Sequence, residues 1–183
     1  MVSFDEQAIL DNGAYIYNQR AEIERIADEI CEKGFDSIFF TSSGGSLAMM
    51  QPFDYMVSVM SDIPVQSQVS ADFLTVGNRR IGKGTLAFMA SKSGDTKETV
   101  AAAKAAKDAG CTIVSTLGVD GSPLGELSDY GVIYKQGRPM ELVLYLLIGK
   151  ILKNRGFFDD YDRFADELVN LPAALVSGGA PQI

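Results

Sequence analysis

A segment of seven residues, TLAFMAS (Thr85–Ser91), limits the possible folds of this chain more than any other. It has the length of a strand and is apolar throughout, without the alternation typical of a strand that has one face in water. Such strands are covered on both faces, and they occur mainly in parallel sheets that carry helices on both sides. The segment therefore predicts an α/β fold with a buried parallel sheet.

The rest of the chain alternates strands with helices, as this fold requires. Further strands are predicted in DSIFFTS, IPVQSQVS, CTIVSTL and YGVIYK, which gives five in all. Helices are predicted over Phe4–Lys33, LAMMQPFDYMVSVM, KETVAAAKAAKDAG, MELVLYLLIGKIL and DDYDRFADELVNLPAAL. We expect a three-layer αβα architecture around a five-stranded parallel, flavodoxin-like sheet of order 2-1-3-4-5.

Glycine and proline modify several of these helices. Gly13 is expected to break the N-terminal helix, and Pro52 should kink the helix after strand 1 or delay its start, because proline deletes a backbone hydrogen bond. Gly110 is placed to cap the alanine-rich helix, and Pro139 suits the first turn of the helix after strand 5. The tail VSGGAPQI is expected to fray.

The composition favours one domain that binds neither nucleic acid nor membrane. The chain has 183 residues, of which 46% are hydrophobic, so residues 1–183 can form one domain with a sizeable core. A formal net charge of −8 argues against nucleic-acid and anionic-membrane surfaces, which are bound by clustered Lys and Arg. The excess acid lies in residues 1–33 and 157–183, and the centre is free to receive an anion.

The content of histidine and cysteine excludes several kinds of chemistry. With no histidine, the chain cannot use a Ser–His or Cys–His mechanism and lacks the commonest transition-metal ligand, so we expect no metal and no cofactor. Cys31 and Cys111 are isolated, without CxxC spacing, which indicates a reducing, cytoplasmic setting. No apolar run reaches the roughly 18 residues of a membrane span, so a soluble protein is predicted.

The loop SKSGDT, after strand 3, has the chemistry of a phosphate site. Ser91, Ser93 and Thr96 offer hydroxyls, Gly94 frees backbone N–H groups, and the following helix presents its positive end. The alternative is ordinary helix capping by Asp95 or Thr96.

A second loop of the same kind, SSGGS, follows strand 1. In the predicted sheet order, strands 1 and 3 are neighbours at the switch point, so the loops at 41–46 and 91–96 face one crevice. Two such loops at one crevice favour the binding of a phosphate ester.

The two loops and the intervening SDIPVQSQVSADF resemble the sugar isomerase (SIS) domain of phosphosugar isomerases and binding proteins, over about residues 34–155. The resemblance implies a sugar-phosphate ligand. The phosphate-binding residues that it implies are Ser43, Gly44, Gly45, Ser46, Ser91, Lys92, Ser93, Gly94 and Thr96. Lys92 departs from a commonly neutral position; it either adds charge to the site or points to solvent, and we favour solvent because the hydroxyls and amides suffice.

The isomerisation or deglycation that this resemblance implies needs a base that moves a proton between adjacent carbons, and without histidine a carboxylate is the natural candidate. Glu141, in the first turn of the helix after strand 5, lies at the same end of the sheet as the phosphate loops. Its alternative role is to complement the helix dipole. Asp72 in SADF is a weaker candidate of the same type.

The pattern resembles fructoselysine 6-phosphate deglycases and the isomerase half of glucosamine 6-phosphate synthase, which carry two such domains in tandem. It implies an isomerase or deglycase acting on a hexose 6-phosphate or fructosamine 6-phosphate, and leaves open that this chain is the first half of such an enzyme. The resemblance to SIS domains suggests a homodimer or larger assembly, and MELVLYLLIGKIL is apolar enough to leave a face for a partner.

Two other functions compete with this one. The first is a non-catalytic sugar-phosphate sensor or scaffold. The second is an FMN-binding flavodoxin-like protein; in that class, however, the phosphate loop follows strand 1, whereas SKSGDT follows strand 3.

Overall fold

The computed structural model describes residues 5–135 and 139–179. It has one parallel sheet of order β2-β1-β3-β4-β5, as predicted. The strands are β1 (Ser37–Ser42), β2 (Val65–Val69), β3 (Thr85–Ser91), β4 (Thr112–Leu117) and β5 (Tyr130–Ile133). The strand order reverses between β1 and β3, which is the switch point of this fold.

Helices pack on both faces of the sheet. They are α1 (Glu6–Tyr17), α2 (Arg20–Lys33), α3 (Gly44–Met60), α4 (Ser70–Val76), α5 (Lys97–Asp108), α6 (Pro123–Leu127), α7 (Glu141–Asn154), α8 (Tyr161–Glu167) and α9 (Leu171–Gly179). A 3-10 turn, Leu168–Asn170, joins α8 to α9. The short helices α4 and α6 were not predicted from the sequence.

The core is divided by the sheet into two clusters, because successive side chains of a strand point to opposite faces. The larger cluster joins Phe40 and Phe88 to helices α1, α2, α3, α7 and α8. The smaller cluster joins Phe39 and Met89 to α4, α5 and α6. Every residue of β3 is buried, in agreement with the uniformly apolar sequence of that strand.

Helix α7 is covered by its own chain. Nine of its fourteen residues are buried, and α1, α2, α3 and α8 pack around it. Its half-buried and exposed positions are Glu141, Tyr145, Lys150, Lys153 and Asn154. The expectation that this helix offers an apolar face to a partner is therefore wrong.

Gly13 does not break the N-terminal helix; α1 runs through it, and the break falls at Asn18 and Gln19. The glycine is needed for packing instead, since a Cβ at this position would lie 2.1 Å from Cγ of Pro172 in α9. Pro52 lies inside α3 without delaying the start of that helix at Gly44.

The C-terminal segment, predicted as a single helix, is divided into α8, the 3-10 turn and α9. Helix α9 continues through the residues VSGG, which were expected to fray; the last four residues of the chain lie outside the described ranges. Among the helices of residues 5–135 and 139–179, none is both long and apolar enough to cross a membrane.

Candidate anion-binding site

The carboxyl ends of β1 and β3 are held together by a side chain. The last paired residues of these strands are Phe40 and Phe88. Two residues further on, the hydroxyl of Ser42 accepts a hydrogen bond from the N–H of Ala90 (2.8 Å) and donates one to the carbonyl of Ala90 (2.9 Å). Beyond the last backbone pair of β1 and β3, the Ser42 hydroxyl thus makes the hydrogen bonds to Ala90 that a backbone group of β1 would otherwise make. Sequence reasoning missed this role, for which the only signal is a serine at a strand end.

The first predicted loop forms the start of α3. Ser43 has extended backbone angles and occupies the N-cap position, but its side chain makes no capping hydrogen bond. Gly44 has a φ of +53°, which glycine adopts without strain. Gly44 and Gly45 are exposed, and Ser46 is half-buried. Because the first N–H groups of a helix have no partner within it, the start of α3 presents unpaired donors to solvent.

The second predicted loop closes on itself. The hydroxyl of Ser91, which is only 1% exposed, accepts a hydrogen bond from the N–H of Gly94 (2.9 Å) and lies 3.0 Å from Oγ1 of Thr96. Lys92 and Ser93 are exposed at the outside of this turn. Thr96 occupies the N-cap position of α5, yet its side chain makes no capping bond to that helix. The hydroxyl of Thr96 therefore does not cap α5, which contradicts the interpretation of this loop as an ordinary helix cap formed by Thr96.

A hydrogen bond joins the two loops. Oγ1 of the buried Thr99, in the first turn of α5, donates to Oγ of Ser43 over 3.4 Å. The starts of α3 and α5 are thereby brought to the same crevice, as the sheet order predicted. Each of these helices contributes the partial positive charge of its N-terminus, and together they favour an anion between the loops.

Two hydroxyls of the neighbouring β4 region lie buried without a hydrogen-bond partner among the described residues. They belong to Thr116, 2% exposed, and Ser122, 4% exposed. Ser122 lies directly against Gly94, where a Cβ would come within 2.1 Å of its Oγ. The loop after β4 thus forms one wall of the second loop, which the sequence did not indicate.

Glu141 is the first residue of α7 and is half-buried. Its neighbour Tyr134, at the end of β5, is 1% exposed, and the Tyr134 hydroxyl has no partner among the described residues. Burial, and next the charge of Glu141, raise the pKa of Tyr134 to about 12. Tyr134 therefore remains protonated at neutral pH.

Glu141 lies at the same edge of the sheet as the two loops, where the carboxyl ends of the strands meet. The hydrogen bonds of the described residues do not connect Glu141 to the loop after β1 or to the loop after β3. Strand β4 lies between β3 and β5, so the distance from β3 to β5 is two strand spacings, or about 10 Å. Asp72 is exposed in the first turn of α4, beside the outermost strand of the sheet. The structure thus brings the two predicted loops together, whereas the described hydrogen bonds connect neither Glu141 nor Asp72 to them through a side chain.

The two thiols have no place in this site. Burial raises the pKa of Cys31, and it raises that of Cys111 to about 11, so neither is activated as a nucleophile. Cys31 lines a cavity of about 380 Å³ with Asp28, Glu32 and Asn154. This cavity lies at the end of α2 that leads into β1, which is the opposite end of the strand from the loop that starts α3.

These features define a class of protein: a doubly wound αβα fold in which two hydroxyl- and glycine-rich loops meet at the switch point. Within that class the chain belongs to the SIS domain family, whose model matches residues 33–148. The resemblance inferred from the two loops is thereby confirmed.

Three relatives illustrate the similarity. Glutamine–fructose-6-phosphate aminotransferase (isomerizing) of Thermotoga maritima is 31% identical over 155 residues, which are 78% of this chain and 25% of that protein. Fructosamine deglycase FrlB of Bacillus subtilis is 30% identical over 117 residues, 63% of this chain and 36% of that one. The C-terminal domain of glucosamine-fructose-6-phosphate aminotransferase from Francisella tularensis shares the fold, with a TM-score of 0.72 and 18% identity over 92% of this chain and 51% of that chain. The chain thus spans only a quarter to a half of the length of these relatives.

Proposed function

We propose that the crevice between β1 and β3 binds the phosphate group of a phosphosugar. The observation that carries this proposal is the hydrogen bond between Thr99 and Ser43, which unites two loops that each offer unpaired donors at a helix start. Hydroxyls and amides bind phosphate oxygens without a cationic side chain, and Lys92 then stands in solvent. Membership of the SIS family supports the same ligand class, since two relatives are named for fructose 6-phosphate and fructosamine substrates.

The finer proposal is an isomerase or deglycase that acts on a hexose 6-phosphate or a fructosamine 6-phosphate. With the phosphate between the loops, the far end of an extended six-carbon ester extends across β4 toward β5, over a distance comparable to two strand spacings. Glu141 is the carboxylate at that end. There it takes the proton from the carbon beside the carbonyl and, through an enediol, returns it to the former carbonyl carbon, while the proton of the adjacent hydroxyl passes to the carbonyl oxygen. The charge of Glu141 is the second cause, after burial, of the raised pKa of Tyr134, whose hydroxyl is therefore protonated at neutral pH.

We further propose that residues 1–183 act as one phosphosugar-binding domain in the cytoplasm, without metal or cofactor. The relatives are two to four times as long as the matched region, so catalysis by this chain alone needs its own test. The alternative function is a non-catalytic sugar-phosphate sensor. Such a protein binds the same ligand as the proposed enzyme but does not convert it.

Binding is tested by thermal unfolding with fructose 6-phosphate, glucose 6-phosphate and the unphosphorylated sugars. Only the phosphates should raise the melting temperature, by the equivalent of about 2.7 kcal/mol at 100 times the dissociation constant. Ser93→Ala should weaken binding by about 1 to 3 kcal/mol, the cost of a lost hydrogen bond to a charged group. Ser177→Ala is the matched control, since within the described ranges that exposed hydroxyl donates to the carbonyl of Ala174 in its own helix α9. Equal shifts with neutral sugars would contradict the phosphate assignment.

Catalysis is tested separately with Glu141→Gln. A base acts mainly in the transition state, so this variant should retain sugar-phosphate affinity and lose about 10²- to 10⁴-fold in kcat. If the parent chain binds hexose phosphates but shows no turnover with hexose or fructosamine 6-phosphates, the sensor function is favoured. If Glu141→Gln keeps full turnover, Glu141 is only a helix-terminal charge and Asp72 is the next carboxylate to replace.

A further inference from the structure

A cavity distinct from the crevice between β1 and β3 lies where β1 and β2 begin. It has a volume of about 270 Å³, and its lining residues are Asp36, Ser37, Pro64, Val65, Gln66 and Arg80. It is here called the Arg80 cavity. Strand β1 is six residues long, so at about 3.3 Å per residue roughly 20 Å separate this cavity from the loop at the other end of the strand. A molecule in the Arg80 cavity therefore does not contact the phosphate loops.

The loop between α4 and β3 carries Arg80 to this cavity, and Asn78 fixes that loop. The side-chain amide of Asn78 donates to the side-chain oxygens of Gln66 (3.2 Å) and Gln68 (3.1 Å) in β2. Its side-chain oxygen accepts a hydrogen bond from the backbone N–H of Arg80 (3.1 Å). The next residue, Ile81, is buried in the smaller core cluster. The backbone at Arg80 is thus tied to the outermost strand of the sheet.

Asp36 supplies the opposite charge, and its position is fixed by Gly84. The backbone N–H of Asp36 donates to the carbonyl of Gly84 over 2.7 Å. Its carboxylate lies against the same glycine, since a Cβ at Gly84 would come within 2.1 Å of Oδ2 of Asp36. The carboxylate therefore occupies space that a side chain at position 84 would need.

The two charges line one cavity without pairing with each other. The ion pairs within residues 5–135 and 139–179 include neither Arg80 nor Asp36. Gln66 adds a further donor, because its side-chain oxygen is the atom bound by Asn78 and its side-chain nitrogen is left for other partners. A guanidinium, an amide and a carboxylate are thus available to one molecule in the cavity.

This set of groups favours a ligand that carries both charges. Asp36 repels a simple anion such as inorganic phosphate, and Arg80 repels a simple amine, because like charges at close range are unfavourable. A molecule with one carboxylate and one ammonium group is attracted by both residues. The volume of about 270 Å³ lies just below the roughly 300 to 1,000 Å³ of sites for drug-sized molecules, and Pro64 and Val65 give the cavity an apolar wall. The ligand is therefore small and partly aliphatic.

We propose that the Arg80 cavity binds a free α-amino acid with a small aliphatic side chain. The carboxylate of the ligand accepts hydrogen bonds from the guanidinium of Arg80 and the side-chain amide of Gln66. Its ammonium group donates to the carboxylate of Asp36, and its side chain packs on Pro64 and Val65. The proposal does not depend on which ligand occupies the β1–β3 crevice.

The test is a titration of the intact, ¹⁵N-labelled chain with L-valine, followed by backbone amide chemical shifts. Saturable shifts should appear at residues 36–37, 65–66 and 78–84, with a dissociation constant of about 0.1 to 10 mM, as expected for so small a ligand. Isovalerate, which is valine without its ammonium group, and isobutylamine, which is valine without its carboxylate, should each bind at least about tenfold more weakly.

Variants separate the two charges from the general charge of the loop. Arg80→Gln and Asp36→Asn should each raise the dissociation constant of L-valine at least about tenfold, because each removes a hydrogen bond between charged groups. Arg79→Gln is the matched control, since Arg79 is the adjacent exposed arginine and does not line the cavity. It should bind L-valine as the parent does. Arg79, Arg80 and Asp36 are all exposed, and the amide shifts of the rest of the chain show that each variant is folded.

Three results would overturn the proposal. The first is the absence of saturable shifts at the cavity up to about 20 mM L-valine. The second is binding of isovalerate as tight as that of L-valine, since Asp36 would then have no role. The third is an equal loss of affinity in Arg79→Gln, which would show that the loop attracts the ligand only through its net charge.

Discussion

Replacement of Gly94 by alanine should destabilise the protein more than any other glycine substitution in the two loops. Gly94 has a φ of +72°, and a Cβ there would lie 2.1 Å from Oγ and 2.3 Å from Cβ of Ser122. The left-handed backbone costs an alanine about 1 to 2 kcal/mol. Overlap with the buried Ser122 side chain adds about 1 to 3 kcal/mol. We expect Gly94→Ala to lower the free energy of unfolding by about 2 to 5 kcal/mol.

Two glycines of the other loop provide matched controls. Gly44 has a φ of +53° but nothing within 4 Å of an added Cβ, so Gly44→Ala should cost only the backbone part, about 1 to 2 kcal/mol. Gly45 has neither a positive φ nor a neighbour within 4 Å, and Gly45→Ala should change stability by less than about 0.5 kcal/mol. The three substitutions thus separate backbone strain from overlap.

The assay is urea unfolding of all three variants and of the double variant Gly94→Ala/Ser122→Gly. Removal of the Ser122 side chain should restore the overlap part of the loss, about 1 to 3 kcal/mol, and leave the backbone part. The reasoning is refuted if Gly94→Ala costs no more than Gly44→Ala, or if Ser122→Gly restores nothing, because Ser122 would then not be the neighbour that excludes a side chain.

Two further predictions concern the rest of the fold. Gly13→Ala should lower the free energy of unfolding by about 1 to 3 kcal/mol in urea, because the new Cβ overlaps Pro172, whereas Ala14→Ser on the exposed face of α1 should have little effect. Burial raises the pKa of Cys111 from 9.0 to about 11, so the folded state holds this proton more tightly than the unfolded state and stability should fall as the pH rises from 9 to 11. Cys111→Ser should lose less stability over that range, and identical pH profiles for parent and variant would exclude the thiol as the cause.

The sheet was predictable because the sequence of each strand indicates whether its faces are buried or exposed. A fully buried strand such as β3 must be apolar at every position, and TLAFMAS satisfies this requirement without reference to the rest of the chain. The two loops were predictable for a related reason, because the strand order alone decides which strand ends are adjacent. The residue types of each segment and the rule for strand order were sufficient to predict both the sheet and the positions of the two loops.

Features that depend on distant contacts were not predictable. Gly13 has the same local signature whether it breaks a helix or admits Pro172, and 159 positions separate these two residues. The role of Ser42 depends on the backbone of Ala90 in another strand, and that of Ser122 on the turn at Gly94. The apolar helix α7 was assigned a free face because its sequence does not show how many helices surround it.

The burial of α7 has a consequence for the way the protein is made. Helix α2 packs against α7, with Asn154 bonded to Asp28 at one end of the contact, although 107 residues lie between Lys33 and Glu141. A ribosome that adds roughly 5 to 20 residues per second needs about 5 to 20 s to cross that interval. Throughout this time the emerged isoleucines of α2, such as Ile26 and Ile30, lack the helix with which α2 makes its most extensive contact. The packing of α2 must therefore wait for α7, and a nascent chain at this stage should be a substrate for chaperones that bind exposed aliphatic segments.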